Sequence, residues 1–116
     1  MNAEILAIGT ELLMGQISNT NAQFITARLS ELGLNVHYHT VVGDNAERLK
    51  ESLDLAFSRS DCVIMTGGLG PTYDDMTKET VAEYFNMPLK TDEAALSQIT
   101  EYFKSRGREM TPSNKK

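Results

Sequence analysis

A single cysteine, Cys62, is all the thiol that the 116 residues hold. That excludes an intramolecular disulfide framework and any multi-cysteine metal site. Long hydrophobic runs are missing too. The longest, such as Ile5-Leu6-Ala7-Ile8, are four residues, against the ~18 needed to cross a bilayer. No basic segment leads into an apolar stretch at the N-terminus, and Glu4 falls where a signal peptide would be apolar. These absences predict a soluble, cytoplasmic chain with no membrane partner. Cations are scarce as well: eleven Lys and Arg face sixteen Asp and Glu, a net charge of −5. A net acidic domain repels polyanions, so nucleic acid is not an expected partner. The balance is uneven. Residues 104–116 hold Lys104, Arg106, Arg108, Lys115 and Lys116 against Glu109 alone. This tail reads as a solvated helix end, with the alternative that it offers cations to a phosphate ligand.

Hydrophobic residues make up 41% of the chain, enough for one domain with a packed core. Their pattern alternates between two periods. Ala3 to Ile8 reads as a strand buried on both faces. After the polar stretch Gly9 to Asn21, residues Ala22, Ile25, Leu29 and Leu32 mark one face of a helix that Gly33 stops. Leu34 to Val42 is β-branched and aromatic, a strand with one wetter face near an edge. Ala46, Leu49, Leu53 and Ala56 mark a second helix. Cys62 to Met65 is a third buried strand, with Cys62 expected in the core. A third helix is expected from Asp75 to Phe85. A fourth starts at Thr91 or Asp92 and turns Leu96, Ile99 and Phe103 inward. Such alternation predicts a parallel sheet with helices on both faces and right-handed crossovers. Three strands are few for a doubly wound sheet, so the domain, 1–116, is expected to continue past its polar ending.

In an open parallel sheet, ligands bind beyond the carboxyl ends of the strands. Those ends are Gly9-Thr10-Glu11, Gly43-Asp44-Asn45 and Thr66-Gly67-Gly68-Leu69-Gly70-Pro71. Three glycines within four residues allow backbone N–H groups to approach an anion. The segment is not a P-loop, since Gly-Lys-Ser/Thr is missing. Nor is it the dinucleotide fingerprint, because Tyr73 stands where a third small residue is required. A valine at Gly68 is expected to block a phosphate while costing the fold less. Tyr73-Asp74-Asp75 is expected to open the third helix, one Asp capping and the other facing the cleft. Asp44 with Glu47 has the spacing of a capping box. Glu11 can bind a hydroxyl or metal, or be a solvated loop acid. Asn19, Thr20 or Asn21 caps the first helix, leaving spare amides for a heterocycle. His37 and His39 sit two apart, so they should share a strand face, where a structural role fits better than metal binding.

Read together, the segments Gly9-Thr10-Glu11-Leu12-Leu13-x-Gly15-x-Ile17-x-Asn19-Thr20-Asn21, Val41-Val42-Gly43-Asp44 and Thr66-Gly67-Gly68-Leu69-Gly70-Pro71-x-x-x-Asp75 resemble the molybdopterin-binding (MogA/MoaB/MoeA-like) domain family. Within it they are most similar to the N-terminal domains of the competence/damage-inducible (CinA) group. The resemblance runs through essentially the whole chain. It implies a three-layer α/β/α fold with a mostly parallel mixed sheet of about five strands, the C-terminal ones missing here. It implies that Asp44 and Asp75 serve the active site and that Thr66, Gly67, Gly68, Leu69 and Gly70 bind phosphate. Gly9, Thr10, Glu11 and Asn21 would contact substrate, and Asp44, Asp75 and Glu11 would hold a divalent metal ion. The expected ligand is a small-molecule nucleotide or pterin: ADP-ribose, hydrolysed to AMP and ribose phosphate, or molybdopterin. A homo-oligomer is expected. The nicotinamide-nucleotide amidase activity of the group belongs to a C-terminal domain absent from these residues. One departure stands out: position 69 is Leu where pterin-transfer members commonly carry Thr.

Overall fold

The computed structural model describes residues 1–115. Strand β1 (Asn2–Ile8) is followed by a one-turn helix α1 (Thr10–Leu13), helix α2 (Thr20–Glu31), strand β2 (Asn35–Val42) and helix α3 (Ala46–Arg59). Strand β3 (Cys62–Thr66), helices α4 (Thr77–Tyr84) and α5 (Glu93–Ser105) and a closing 3-10 turn (Pro112–Lys115) complete it. The strands form one parallel sheet in the order β2-β1-β3. The most apolar strand therefore lies in the middle, and Ala3 to Ile8 are all buried. The wetter β2 is an edge, as its composition predicts. Among the described residues the sheet has three strands, so the larger mixed sheet implied by the resemblance is not contained in them.

Pairing fixes which residues share a face. Glu4 and Leu6 of β1 pair with Val63 and Met65 of β3, and this face packs on α3 through Leu49 and Leu53. Together with Ile8 and Val42 these side chains form the core. Ala3, Ile5 and Ala7 point to the opposite layer, where α2 lies on β2. There Thr26 of α2 meets His39 Nε2 at 2.8 Å. The register slips between Ala3/Val36 and Glu4/Tyr38, leaving His37 as an extra residue at a bulge. That bulge breaks the alternation from which a shared face for His37 and His39 followed. Cys62, expected in the core, is only half-buried on β3.

Several helix boundaries differ from expectation for identifiable reasons. Asn19 caps α2, its Oδ1 accepting from Ala22 N. Asn45, not Asp44, caps α3, with Oδ1 accepting from Arg48 N at 3.0 Å. The expected capping box of Asp44 and Glu47 is therefore absent. Helix α4 starts at Thr77, two residues later than expected, because Asp75 closes the preceding loop instead of capping. Asp92 caps α5 as expected. That helix, however, has no buried residue; Leu96 and Phe103 are half-covered and Ile99 is exposed. Helix α4 is fastened to α3 at two points. Tyr84 Oη donates to Asp54 at 2.7 Å, and Lys50 Nζ lies 2.9 Å from Glu83. Phe57 of α3 stacks against Tyr84. Lys104, Arg106 and Arg108 of the basic tail are exposed, and Arg106 stacks on Tyr102; Lys116 lies outside the described residues.

Candidate functional site

The three strand-end loops meet at the carboxyl edge of the sheet. The amide of Gly9 donates to Val42 O at 2.9 Å, tying the end of β1 to the end of β2. A reciprocal pair locks the next residues. Thr10 N donates to Asp44 Oδ2 at 3.3 Å, and Asp44 N donates to Thr10 Oγ1 at 3.2 Å. Asp44 is thus free of capping duty and instead holds two loops in register, with its side chain at the surface. Glu11 folds back over Gly9, where an added Cβ would lie 2.6 Å from Oε1.

The third loop leaves β3 at Thr66, whose partner on β1 is Ala7. Gly67 and Gly68 follow with φ of 89° and 66°, a left-handed backbone that a side chain disfavours. A Cβ on Gly67 would come within 2.0 Å of Ile8 O, and one on Gly68 within 2.1 Å of Thr77 Oγ1. Both glycines are thus required by the protein's own packing. The expectation that valine at Gly68 costs the fold less is corrected on this ground. The loop presses directly on the last residue of β1 and on the first turn of α4.

Asp75 secures the far end of this loop. Its Oδ2 accepts from Thr72 N at 3.0 Å and from the Thr72 hydroxyl. It also packs where a Cβ on Gly70 would sit, 2.7 Å away. Leu69 at the loop's crest is 68% exposed, and Tyr73 is fully exposed. Asn21 lies exposed in the first turn of α2, with no hydrogen bond to the other loops among the described residues. Thr10, Glu11, Asp44, Thr66–Gly70 and Asp75 are therefore gathered at one sheet edge, and Asn21 is not shown joining them. Among the described residues no three His, Cys, Asp or Glu side chains come together to cage a metal ion.

Two residues of this edge escaped the sequence reading. Thr72 partners Asp75. Thr77, 4% exposed, donates from Oγ1 to Gly67 O at 2.8 Å, and from its amide to Gly68 O at 3.2 Å. Their signal in sequence was a hydroxyl within three residues of Asp75 on either side.

A parallel α/β sheet with a glycine loop and two acid-bearing loops at its carboxyl edge defines the class: an open α/β domain, a class whose ligands bind beyond the carboxyl ends of the strands. The chain matches the family model described as "Probable molybdopterin binding domain" over residues 4–114 and belongs to that family. It is 60% identical over all 116 residues to the "Putative competence-damage inducible protein" of Lysinibacillus sphaericus (strain C3-41), and equally so to that of Bacillus mycoides (strain KBAB4). The chain spans 28% of the length of each. Among solved structures it is similar to the protein CinA, of unknown function, from Thermoplasma acidophilum. There the TM-score is 0.85 with 38% identity, covering 98% of this chain and 66% of that one. It is also similar to the molybdopterin biosynthesis enzyme MoaB from Thermus thermophilus. That match has a TM-score of 0.67 and 25% identity over 71% of this chain and 53% of the other.

Proposed function

We propose that this domain binds a nucleotide through its diphosphate and hydrolyses ADP-ribose to AMP and ribose phosphate with the help of a divalent cation. The observation that carries the reading is the convergence of the Gly67–Gly70 loop with the Asp44 and Asp75 loops at one sheet edge. Diphosphate cleavage needs donors for the phosphate oxygens and a positioned water. The glycine loop supplies backbone N–H donors. Carboxylates alone would repel the ligand.

The donor set fits a cation that is shared with the ligand. Asp44 and Asp75 would offer hard oxygen ligands from the loops on either side of the β1 end. The lack of a three-acid cage among the described residues suits Mg²⁺, which takes one or two carboxylates and completes its shell with water and phosphate oxygens. Such a cation, when bound, would neutralise charge on the diphosphate and acidify a water. In this reading Asp75 orients the attacking water, and Asp44 keeps Thr10 and the first loop against the substrate. Gly9, Thr10 and Asn21 would contact the nucleoside. The water oxygen bonds to one phosphorus and releases its proton to solvent while the bridging P–O bond breaks, and the departing phosphate keeps the electron pair.

The test is AMP release from ADP-ribose, measured with Mg²⁺, Mn²⁺ and other divalent cations in the longer protein and in this chain. AMP formed only with a cation is expected; no AMP with any of them overturns the reading. A second reading, molybdopterin binding, has the family match and the MoaB likeness in its favour. Against it stands Leu69, which offers no hydroxyl beside the phosphates. Molybdopterin binding without AMP release would select it. Nucleotide binding without turnover would select a regulatory module for an attached amidase domain.

A further inference from the structure

The glycine loop has an aimed face, and one buried residue holds it, by its hydroxyl and its amide. Thr77 takes the carbonyls of both Gly67 and Gly68, one with its hydroxyl and one with its amide. In a trans peptide the N–H of the next residue points opposite to the carbonyl, and the described residues include no cis peptide bond. Fixing those two carbonyls toward α4 therefore turns the amides of Gly68 and Leu69 away from it. Neither amide donates to any described residue. Two successive outward N–H groups form an anion-binding concavity. Thr77 itself cannot swing. It is 4% exposed, and α4 is fastened to α3 through Tyr84–Asp54 and Lys50–Glu83.

We propose that Thr77 is the positioning residue of the phosphate loop, aiming the Gly68 and Leu69 amides at one phosphate group without touching it. The proposal rests on the phosphate reading of the loop given above, and its test separates the two. Inorganic pyrophosphate is titrated into the ¹⁵N-labelled chain while the amide resonances of Gly68 and Leu69 are followed. Thr77→Ser keeps the hydroxyl; Thr77→Val keeps the shape and loses it. Thr80→Val, at an equally buried position on the same helix, reports the cost of a hydroxyl lost away from the loop.

The wild type and Thr77→Ser should bind pyrophosphate alike, with Gly68 and Leu69 among the most shifted amides. Thr77→Val should bind about tenfold more weakly, the order of one lost hydrogen bond, with the Gly68 amide, which the hydroxyl sets, already displaced in the free protein. Thr80→Val should bind as the wild type does. Wild-type affinity in Thr77→Val, or in the wild type a response that spares Gly68 and Leu69, overturns the positioning role. The second result needs no variant to fold. No binding by the wild type overturns the phosphate reading of the loop itself, and the positioning role with it.

Discussion

The two ends of the sheet use acidic residues in opposite ways. At the amino end Glu4, 1% exposed, is enclosed in partners. Arg59 Nε and Nη2 each donate to it at 3.0 Å, Ser60 Oγ donates at 3.0 Å and Thr40 Oγ1 at 3.4 Å. Arg59 in turn lies 3.6 Å over the ring of Tyr38. At the carboxyl end Asp44 and Asp75 each pin a loop, Asp44 exposed and Asp75 half-buried. A buried charge with every oxygen engaged locks one end of α3 to the sheet. An exposed acid that accepts through one oxygen, as Asp44 does from Thr10 N, is held in place at the surface. The comparison separates an acid that supports the fold from acids that could serve a ligand, a distinction composition cannot make.

The first way to break the comparison is at the amino end, where the effect should be greatest. Arg59→Met strands the Glu4 carboxylate in the core. It should cost about 3 kcal/mol, the low end for a broken buried pair, because 28% of the Arg59 side chain remains exposed. Urea unfolding measures it, and binding at the far edge should survive in the folded fraction. The same pair predicts an acid response. The Arg59 hydrogen bonds hold the Glu4 carboxyl below its usual pKa, outweighing the opposite push of burial. A depressed folded pKa gives stability that is complete above the unfolded value of about 4.3. It is then lost as pH falls through the lower folded value. Wild-type stability should therefore drop with acid below pH ~4, and Arg59→Met should show a weaker slope there.

At the carboxyl end the expected effects fall on activity. Asp75→Asn and Asp44→Asn each preserve shape and remove charge. If both acids serve one cation, each should lower ADP-ribose hydrolysis on the order of 10²-fold, about 2.7 kcal/mol of barrier. The double variant should be little worse than the poorer single one, since groups acting as a unit are not additive. Near-wild-type turnover in Asp75→Asn at saturating cation would remove the proposed centre. Either single variant should unfold within about 1 kcal/mol of wild type, because the asparagine carbonyl oxygen can take over the loop hydrogen bond of the accepting carboxylate oxygen.

Much of this is legible in the chain alone. The parallel sheet, the three strands, the edge position of β2 and the gathering of the loops at one sheet edge all follow from apolar runs punctuated by glycines. What escaped the sequence was pairwise and non-local. Glu4 looks like a surface charge inside an apolar strand until Arg59, 55 residues later, is brought beside it. Asp44 fits a helix cap until Thr10 is found across the sheet edge. The left-handed glycines suggest room for a ligand, whereas their first neighbours are Ile8 and Thr77. Periodicity reports which face is buried, but not which side chain receives a given hydrogen bond. The apolar face of α5 reads as inward, yet among the described residues it is only partly covered.

The smallest expected effect is also the sharpest probe of the carboxyl edge, since it turns on adjacent residues. Asn45 and Asp44 both precede α3, and both are residue types that cap helices. Only Asn45 does so, through Arg48 N at 3.0 Å, while Asp44 reaches sideways to Thr10. Asn45→Ala should therefore cost about 1 kcal/mol of stability, the ordinary loss for a helix cap, with little change in the rate of ADP-ribose hydrolysis. Asp44→Asn should do the reverse. Thermal melts and initial rates on the two variants, under one set of conditions, measure the crossing. If Asn45→Ala slows the reaction as much as Asp44→Asn, the loop acts as one mechanical unit and Asp44 has no separate chemical role. If Asp44→Asn loses a full cap's worth of stability and keeps its rate, the acid belongs with Glu4 among the residues that hold the fold.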